Sequence, residues 1–269
     1  MIEINKMMKL DFNIADVNEI YSGPVGQLWE MLMGEQIHVG GENETQKLAE
    51  KAGIAKDQNI LDVCSALGGP ARHLAKTYGC KVTGLDATQH MVNEAVKRTQ
   101  NEPYANLIDY RLGNAIDMPF KNATFDIVWG QDAWCYITDK NKLIEECHRV
   151  LKTGGKIAFT DWLQVGNMTE QEWNNLNSFM AFPYMETLDG YEEIMKKTGF
   201  EIQSREDLSP DFAEHCHLYQ NTLRNNLRDG IISKYGPEMF EIADNGLNQW
   251  VKAADERKVG RGRIIAKKI

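Results

Sequence analysis

The stretch Asn59-Ile60-Leu61-Asp62-Val63-Cys64-Ser65-Ala66-Leu67-Gly68-Gly69-Pro70-Ala71-Arg72-His73-Leu74-Ala75-Lys76-Thr77-Tyr78-Gly79-Cys80-Lys81-Val82-Thr83-Gly84-Leu85-Asp86-Ala87 decides the fold. Residues 60–63 make a short apolar run suited to a buried parallel strand, and Gly68-Gly69 supply a tight turn. Pro70 suits the first turn of a helix, and Gly79 its left-handed stop. A second strand then runs to Asp86, whose carboxylate at the strand tip is placed to accept both hydroxyls of a ribose. Strand, glycine turn, helix and acid-tipped strand form half of a nucleotide-binding α/β unit. The adenosine half of a ligand is therefore expected at this edge.

The turn argues against a dinucleotide. A G-x-G-x-x-G fingerprint would fall on Cys64-Ser65-Ala66-Leu67-Gly68-Gly69, so only its last glycine is present, and Ala66 stands where backbone must approach a pyrophosphate. Asp62 at the mouth of the turn would repel a phosphate and suits a ligand with an ammonium group. S-adenosylmethionine carries both an ammonium and a sulfonium. At these residues the chain resembles the class I S-adenosylmethionine-dependent methyltransferases, whose motif has the form (D/E)-x-G-x-G-x-G; Cys64 and Ala66 depart from its glycines. The resemblance continues in order. Gly113-Asn114-Ala115 falls where the family has Gly-Asp-Ala, the acid there bonding the adenine amino group, and Asn114 still offers an amide oxygen. Phe125-Asp126-Ile127-Val128-Trp129-Gly130-Gln131-Asp132 matches the fourth strand and its catalytic loop, and His148-Arg149-Val150-Leu151-Lys152-Thr153-Gly154-Gly155-Lys156-Ile157-Ala158-Phe159 matches the next helix, double-glycine turn and fifth strand. The resemblance implies an α/β fold: a Rossmann-like seven-stranded class I methyltransferase sheet with helices on both faces and a helical lid. It also implies S-adenosyl-L-methionine as cofactor, held by Tyr21, Ile37, His38, Asp62, Cys64, Ser65, Gly68, Asp86, Ala87, Asn114, Ala115 and Gln131.

Composition sets bounds. With 269 residues, 42% of them apolar, the chain can bury one large core with an attached cap. A formal net charge of −9 and the absence of a basic run argue against a nucleic-acid partner and favour small substrates. Glu3, Lys6, Lys9, Asp11 and Asp16 interrupt the apolar residues between Met1 and Tyr21, which reads as neither a signal-peptide core nor a membrane span; a cytoplasmic location is expected. Five cysteines without a C-x-x-C pair fit a reducing compartment and offer no zinc framework. His215-Cys216-His217 lies in a helical stretch, which points three successive side chains in different directions, so no metal is expected.

Hydrophobic periodicity divides the chain into an N-terminal helical cap (1–56), a cofactor-binding core (57–163), a lid insertion (164–199) and a C-terminal part that completes the sheet and adds substrate-side helices (200–269). Strands are expected at 59–63, 81–85, 107–112, 125–130, 156–161, 200–206 and 262–267. Helices are expected at 25–33, 43–52, 70–78, 88–100, 140–151, 169–181, 188–198, 211–234 and 238–255. The lid stretch carries Trp173, Phe179, Met180, Phe182, Tyr184 and Met185, which either cover the carboxyl ends of the strands or pack a helix on the core.

Methyl transfer from a sulfonium to an amine needs alignment, exclusion of water and an unprotonated nucleophile more than it needs acid or base. The loop after the fourth strand offers Gln131, Asp132, Trp134, Cys135 and Tyr136, and Trp134 and Tyr136 are suited to bracket a methylated amine by cation–π contact; ordinary burial of aromatics is the alternative. Tyr21-Ser22-Gly23-Pro24-Val25-Gly26-Gln27-Leu28-Trp29-Glu30 and Gly34-Glu35-Gln36-Ile37-His38-Val39-Gly40-Gly41-Glu42-Asn43-Glu44-Thr45 resemble the N-terminal segment of two small-amine families, the sarcosine/dimethylglycine and the phosphoethanolamine N-methyltransferases. The likeness extends through Gly246-Leu247-Asn248-Gln249-Trp250 to Gly260-Arg261-Gly262-Arg263. In the phosphoethanolamine family a tyrosine covers the cofactor and pairs with a histidine of the loop after strand four. Tyr21 matches the tyrosine and Tyr136 stands at the histidine position, while Asp132 matches an acid that holds the substrate amine. The resemblance thus implies catalytic roles for Tyr21, Asp132 and Tyr136; Trp134, Phe182 and Tyr184 are the candidates for substrate contact.

That family holds phosphate with an Arg and a Tyr before the helix that here starts near Thr187, whereas this chain has Phe179-Met180-Ala181-Phe182-Pro183-Tyr184-Met185-Glu186, without a cation. A phosphate would need Arg257, Lys258 or Arg261 to swing in. The leading expectation is sarcosine/dimethylglycine-type N-methylation of a small molecule, towards glycine betaine. The alternatives are phosphoethanolamine, another small nucleophile such as a thiol or phenol, or a non-catalytic nucleotide-binding protein.

Overall fold

The computed structural model describes residues 9–269, so the expectations for Met1–Met8 lie outside the described residues. Its strands are β1 (Asn59–Val63), β2 (Lys81–Asp86), β3 (Ile108–Leu112), β4 (Phe125–Gln131), β5 (Leu151–Gln164), β6 (Phe200–Asp207) and β7 (Val259–Lys268). Helices α1 (Ile14–Ser22), α2 (Pro24–Met33) and α3 (Gly41–Ala52) precede β1, α4 (Gly69–Tyr78) and α5 (Gln89–Thr99) flank β2, and α6 (Lys140–Val150) links β4 to β5. Beyond β5 come α7 (Glu170–Met180) and α8 (Leu188–Thr198), then after β6 α9 (Ser209–Thr222), α10 (Arg228–Tyr235) and α11 (Pro237–Asp255).

The seven strands form one sheet in the order β3-β2-β1-β4-β5-β7-β6, parallel except for β7, which runs antiparallel to both β5 and β6. This is the class I methyltransferase arrangement. The chain reverses direction across the sheet between β1 and β4, and a crevice opens beyond the carboxyl ends of such strands. Alternate residues of each strand serve opposite faces: Ile60 and Ile127 pack with Leu48 of α3 and Leu74 of α4, whereas Leu61 and Val128 pack with Leu143 of α6 and Met195 of α8. A third core lies outside the sheet layers. It joins Trp29 of α2, Trp173 and Met180 of α7, Phe212 of α9 and Trp250 of α11 around Trp162.

Four features differ from the sequence expectations. Helix α1 was not expected. Its start is a capping box, with the Asn13 side chain accepting the Ala15 N–H at 2.8 Å and Asp16 accepting the Asn13 N–H at 2.8 Å. Strand β5 is longer than 156–161 because Leu151 already pairs with Phe125 of β4 and because β7 pairs with it as far as Gln164, past the end of the parallel ladder. The stretch 211–234 is interrupted by a wide π turn at Leu223–Leu227, which brings the fully buried Leu223 and Ile231 to one side. Within 164–199, α8 packs its Tyr191, Ile194 and Met195 on the sheet, so only α7 and the segment that follows it reach over the strand ends. Among the described residues no helix is long and apolar enough to cross a membrane.

Gly130 shows how tightly the fourth strand meets its loop. A Cβ there would lie 2.4 Å from Nε1 of Trp134, whose ring is stacked on Phe159 at 4.3 Å between centroids. Overpacking of this kind costs about 1–3 kcal/mol. Gly130→Ala should therefore lower the melting temperature by several degrees in a thermal denaturation experiment, and an unchanged melting temperature would show that Trp134 has room to move.

Candidate active site

A cavity of about 930 Å³, its open mouth included, lies beyond the carboxyl ends of β1, β2, β3 and β4. Asp62, Leu85, Asp86, Gly113 and Gln131 line it from the sheet side. Its roof is α1, which presents Ile14, Val17, Asn18 and Tyr21, residues spaced so that they share one helix face. Asn18 is tied down by the hydroxyl of Thr88, which donates to Asn18 Oδ1 at 2.7 Å.

The polar lining suits a cationic nucleoside. Asp86 accepts the N–H groups of Ala66 at 2.8 Å and Thr88 at 2.9 Å, which aim its carboxylate while leaving further lone pairs for ligand hydroxyls. Asp62 is 2% exposed, and burial together with the nearby Asp86 charge pushes its carboxyl up to about 8. Asp62 Oδ2 and Gln131 Nε2 are buried and have no hydrogen-bond partner among the described residues. One is an acceptor and the other a donor. Orphaned polar atoms facing a cavity are costly unless a ligand satisfies them, and this pair matches the ammonium and carboxylate of an amino-acid end. Gln131 keeps its orientation because its Oε1 accepts the Trp129 indole N–H at 3.1 Å and the Thr45 hydroxyl at 3.0 Å. Asn114 receives the Ile116 N–H at 3.1 Å on its amide oxygen, which retains a second lone pair.

Backbone strain collects at the same place. Eight non-glycine residues have positive φ among the described residues, and four of them line this cavity: Ile37 (46°), Cys64 (65°), Ala66 (44°) and Asp132 (56°). For a β-branched residue such as Ile37 this conformation is a marked outlier. Such strain persists only where surrounding contacts enforce it, and it concentrates at ligand sites.

The loop after β4 is held by buried charge. Asp132 accepts the Arg261 Nε–H at 2.8 Å and the Val39 N–H at 2.9 Å, and its own N–H donates to Thr160 O at 2.8 Å. Arg261 is fully buried and also lies 3.7 Å from Glu44, which in turn pairs with Arg263. Tyr21 and Tyr136 meet through their hydroxyls at 2.7 Å, with rings edge to face at 5.6 Å. Burial raises both above the ordinary tyrosine value, so both stay protonated near neutrality.

A second cavity, of about 280 Å³ with its open mouth included, adjoins the first and shares Tyr21, Ile37, Asp132 and Tyr136 with it. Its remaining wall is Trp29, Met33, His38, Trp162, Met180 and Phe182. Among the described residues no lysine or arginine lines it. His38 is 1% exposed and held by Thr45 at 2.9 Å, and burial lowers it to about 4, which leaves the ring neutral.

Of the residues expected at the cofactor, Tyr21, Ile37, Asp62, Cys64, Ser65, Asp86, Ala87, Asn114, Ala115 and Gln131 line the first cavity. Gly68 and His38 do not. Gly68 is needed for the turn itself, with φ of 71° and a position where a Cβ would lie 2.1 Å from the Tyr110 hydroxyl; His38 lines the second cavity. Phe182 also lines the second cavity, but Trp134 and Tyr184 line neither. Trp134 sits beneath the loop and donates to Val63 O at 3.3 Å, and the Tyr184 hydroxyl is turned to Glu186 at 2.6 Å. Trp29 and Trp162 stand where those two were expected. Both oxygens of Asp132 are engaged by the protein, whereas the sequence reading gave it the substrate amine. None of the three C-terminal cations reaches either cavity: Arg261 is paired internally, Lys258 pairs with Glu172 and Glu256, and Arg257 is exposed. The histidines of 215–217 diverge, His217 to Asp255 and His215 to Asp211, with Cys216 in the core between them. Among the described residues no group of three or more His, Cys, Asp or Glu is arranged to hold a metal. The contribution of α1 was missed, although Asn13 with Asp16 marked its start and 14, 17, 18 and 21 its inner face.

The sheet and cavity have the fold of the S-adenosylmethionine-dependent methyltransferases, and residues 61–159 match the methyltransferase domain family. Two curated relatives are similar to it over most of its length. The glycine/sarcosine/dimethylglycine N-methyltransferase of Actinopolyspora halophila is 30% identical over 235 residues, covering 87% of this chain, although the chain spans only 41% of that protein. The sarcosine/dimethylglycine N-methyltransferase of Halorhodospira halochloris is 27% identical over 259 residues, covering 91% of this chain and 90% of the relative. Among solved structures, phosphoethanolamine N-methyltransferase 2 of Haemonchus contortus, in complex with phosphomonomethylethanolamine and S-adenosylhomocysteine, superposes with a TM-score of 0.87 at 24% identity. That superposition covers 95% of this chain and 60% of the other.

Removing the Asp86 carboxylate should weaken cofactor binding by about 2 kcal/mol, the loss expected for a charged hydrogen-bond acceptor. Calorimetry on Asp86→Ala should show an affinity for S-adenosylmethionine about thirtyfold lower, while unchanged affinity would remove Asp86 from the site.

Proposed function

We propose that this chain transfers the methyl group of S-adenosylmethionine to the nitrogen of a small amine of the sarcosine/dimethylglycine type. The observation that carries the reading is the second cavity: a small aromatic chamber that shares the Tyr21–Tyr136 pair with the cofactor cavity and, among the described residues, has no lysine or arginine in its wall. The curated relatives support the same substrate class.

When bound, the cofactor supplies an electrophilic methyl group on a sulfonium. Asp62, Asp86, Asn114 and Gln131 would hold it, matching its ammonium, ribose, adenine and carboxylate. The chamber's own contribution is alignment and the exclusion of water. A buried amine sheds its proton to solvent more readily than an exposed one, since desolvation disfavours the charged form. The faces of Trp162, Phe182 and Tyr136 then favour the positive charge that appears on nitrogen as it is methylated, worth about 0.5–2 kcal/mol for each well-placed ring. Within the tyrosine pair one hydroxyl donates to the other, and the remaining O–H is free to orient an acceptor carboxylate. A singly charged carboxylate is served by such donors. A phosphate monoester, with charge near −2, would enter a wall without a cation and suffer a larger desolvation cost.

Sarcosine or dimethylglycine should therefore exceed phosphoethanolamine in kcat/KM when methyl transfer is followed by mass spectrometry, and a reversed ranking would refute this substrate assignment. Tyr21→Phe should lower turnover more than cofactor affinity, since its hydroxyl is placed to act on the aligned acceptor. Unaltered kinetics would reduce Tyr21 to packing.

A further inference from the structure

Lys140, the first residue of α6, is 2% exposed, and the transfer chemistry makes no use of it. Its ammonium donates to three backbone carbonyls: Trp134 at 2.6 Å, Ile137, and Tyr184 at 3.2 Å. The first two belong to the turn that carries Tyr136. The third belongs to the segment after α7 that carries Phe182. A lysine has three protons to donate, and here each goes to a different carbonyl of two separate segments.

Those two segments supply neighbouring parts of the wall of the aromatic chamber. Tyr136 and Phe182 both line it, edge to face at 4.9 Å between ring centroids. The same turn is fastened from the sheet side by Asp161, which is fully buried and accepts the Cys135 N–H at 3.0 Å and the Tyr191 hydroxyl at 2.7 Å. Burial pulls Lys140 below the ordinary lysine value, and the Asp161 charge acts to keep it protonated. A buried ammonium with satisfied donors resists displacement, because a carbonyl released from it would be left buried and unpaired.

We propose that Lys140 is a positioning residue that holds the Tyr136 and Phe182 parts of the wall against each other, and through that contact sets the size of amine that the chamber admits. The proposal rests on the chamber being the acceptor site.

The test compares the full-length wild type with Lys140→Met and Lys140→Arg. Kinetics on dimethylglycine and the bulkier N,N-diethylglycine, calorimetry with S-adenosylhomocysteine, and amide hydrogen exchange of residues 134–137 and 181–187 supply the readouts. Lys140→Met should raise the acceptor KM about tenfold or more with kcat less affected, narrow the preference for the smaller amine, and change cofactor affinity less than about threefold. Exchange protection should fall in both segments together. Lys140→Arg, which keeps the charge and the donors, should recover part of the KM. Unchanged acceptor KM and preference in folded Lys140→Met overturns the proposal, as does unchanged exchange in the two segments. Parallel loss of acceptor and cofactor binding, or failure of both variants to fold, also overturns it by making Lys140 an ordinary core residue. If the wild type binds the cofactor but methylates none of the amines, the substrate reading fails, and the exchange result alone decides whether Lys140 joins the walls.

Discussion

Four carboxylates are buried at or near the carboxyl ends of adjacent parallel strands: Asp62 on β1, Asp86 on β2, Asp132 after β4 and Asp161 on β5. Each would be costly to bury without compensation, by several kcal/mol for an ion left unpaired. The protein compensates two of them. Arg261 reaches Asp132 from β7, and Lys140 reaches the neighbourhood of Asp161 from α6. The other two face the large cavity without a cation among the described residues, and Asp62 meets the difficulty by holding its proton up to about pH 8. Where the protein supplies the positive charge, the loop after β4 is held in place; where it does not, the carboxylates are left to backbone N–H groups, a retained proton and a ligand.

The remaining architecture follows from that division. The fixed loop carries Tyr136 and Gln131 to the boundary between the two cavities, and α1 lays Tyr21 across it. Strain at Ile37, Cys64, Ala66 and Asp132 is tolerated because hydrogen bonds such as Asp132 to Val39 and Asp86 to Ala66 enforce the backbone there. The third hydrophobic core, built by α2, α7, α9 and α11 around Trp162, supplies the aromatic wall that a sheet alone does not provide. In the proposed function, charge selects the cofactor on one side of the tyrosine pair and apolar shape selects the acceptor on the other.

Much of the cofactor side was legible in the sequence because it is local. The turn at 64–69 and the acid at 86 are set by neighbours in the chain, and glycine, proline and strand-end signals record them directly. The acceptor side was less legible because it is assembled from distant segments. Trp29, Trp162 and Phe182 converge only through the packing of helices that periodicity locates but does not orient. Trp134 misled because adjacency to Tyr136 in sequence says nothing of direction: the space beside Gly130 draws its indole under the loop. Arg261 read as a mobile cation near the C-terminus, and only the pairing of β7 beside β5 reveals it as the buried partner of Asp132.

The claim that the ligand compensates Asp62 is tested most directly by counting protons released when the cofactor binds. Calorimetric titration near neutral pH in buffers of different ionisation enthalpy gives that number. The free protein holds a proton on Asp62 below about pH 8, and an ammonium beside the carboxylate favours its ionised form, so binding should release up to about one proton per cofactor in the wild type and none in Asp62→Asn. Binding to the wild type without proton release, or with the same release in Asp62→Asn, would contradict the account.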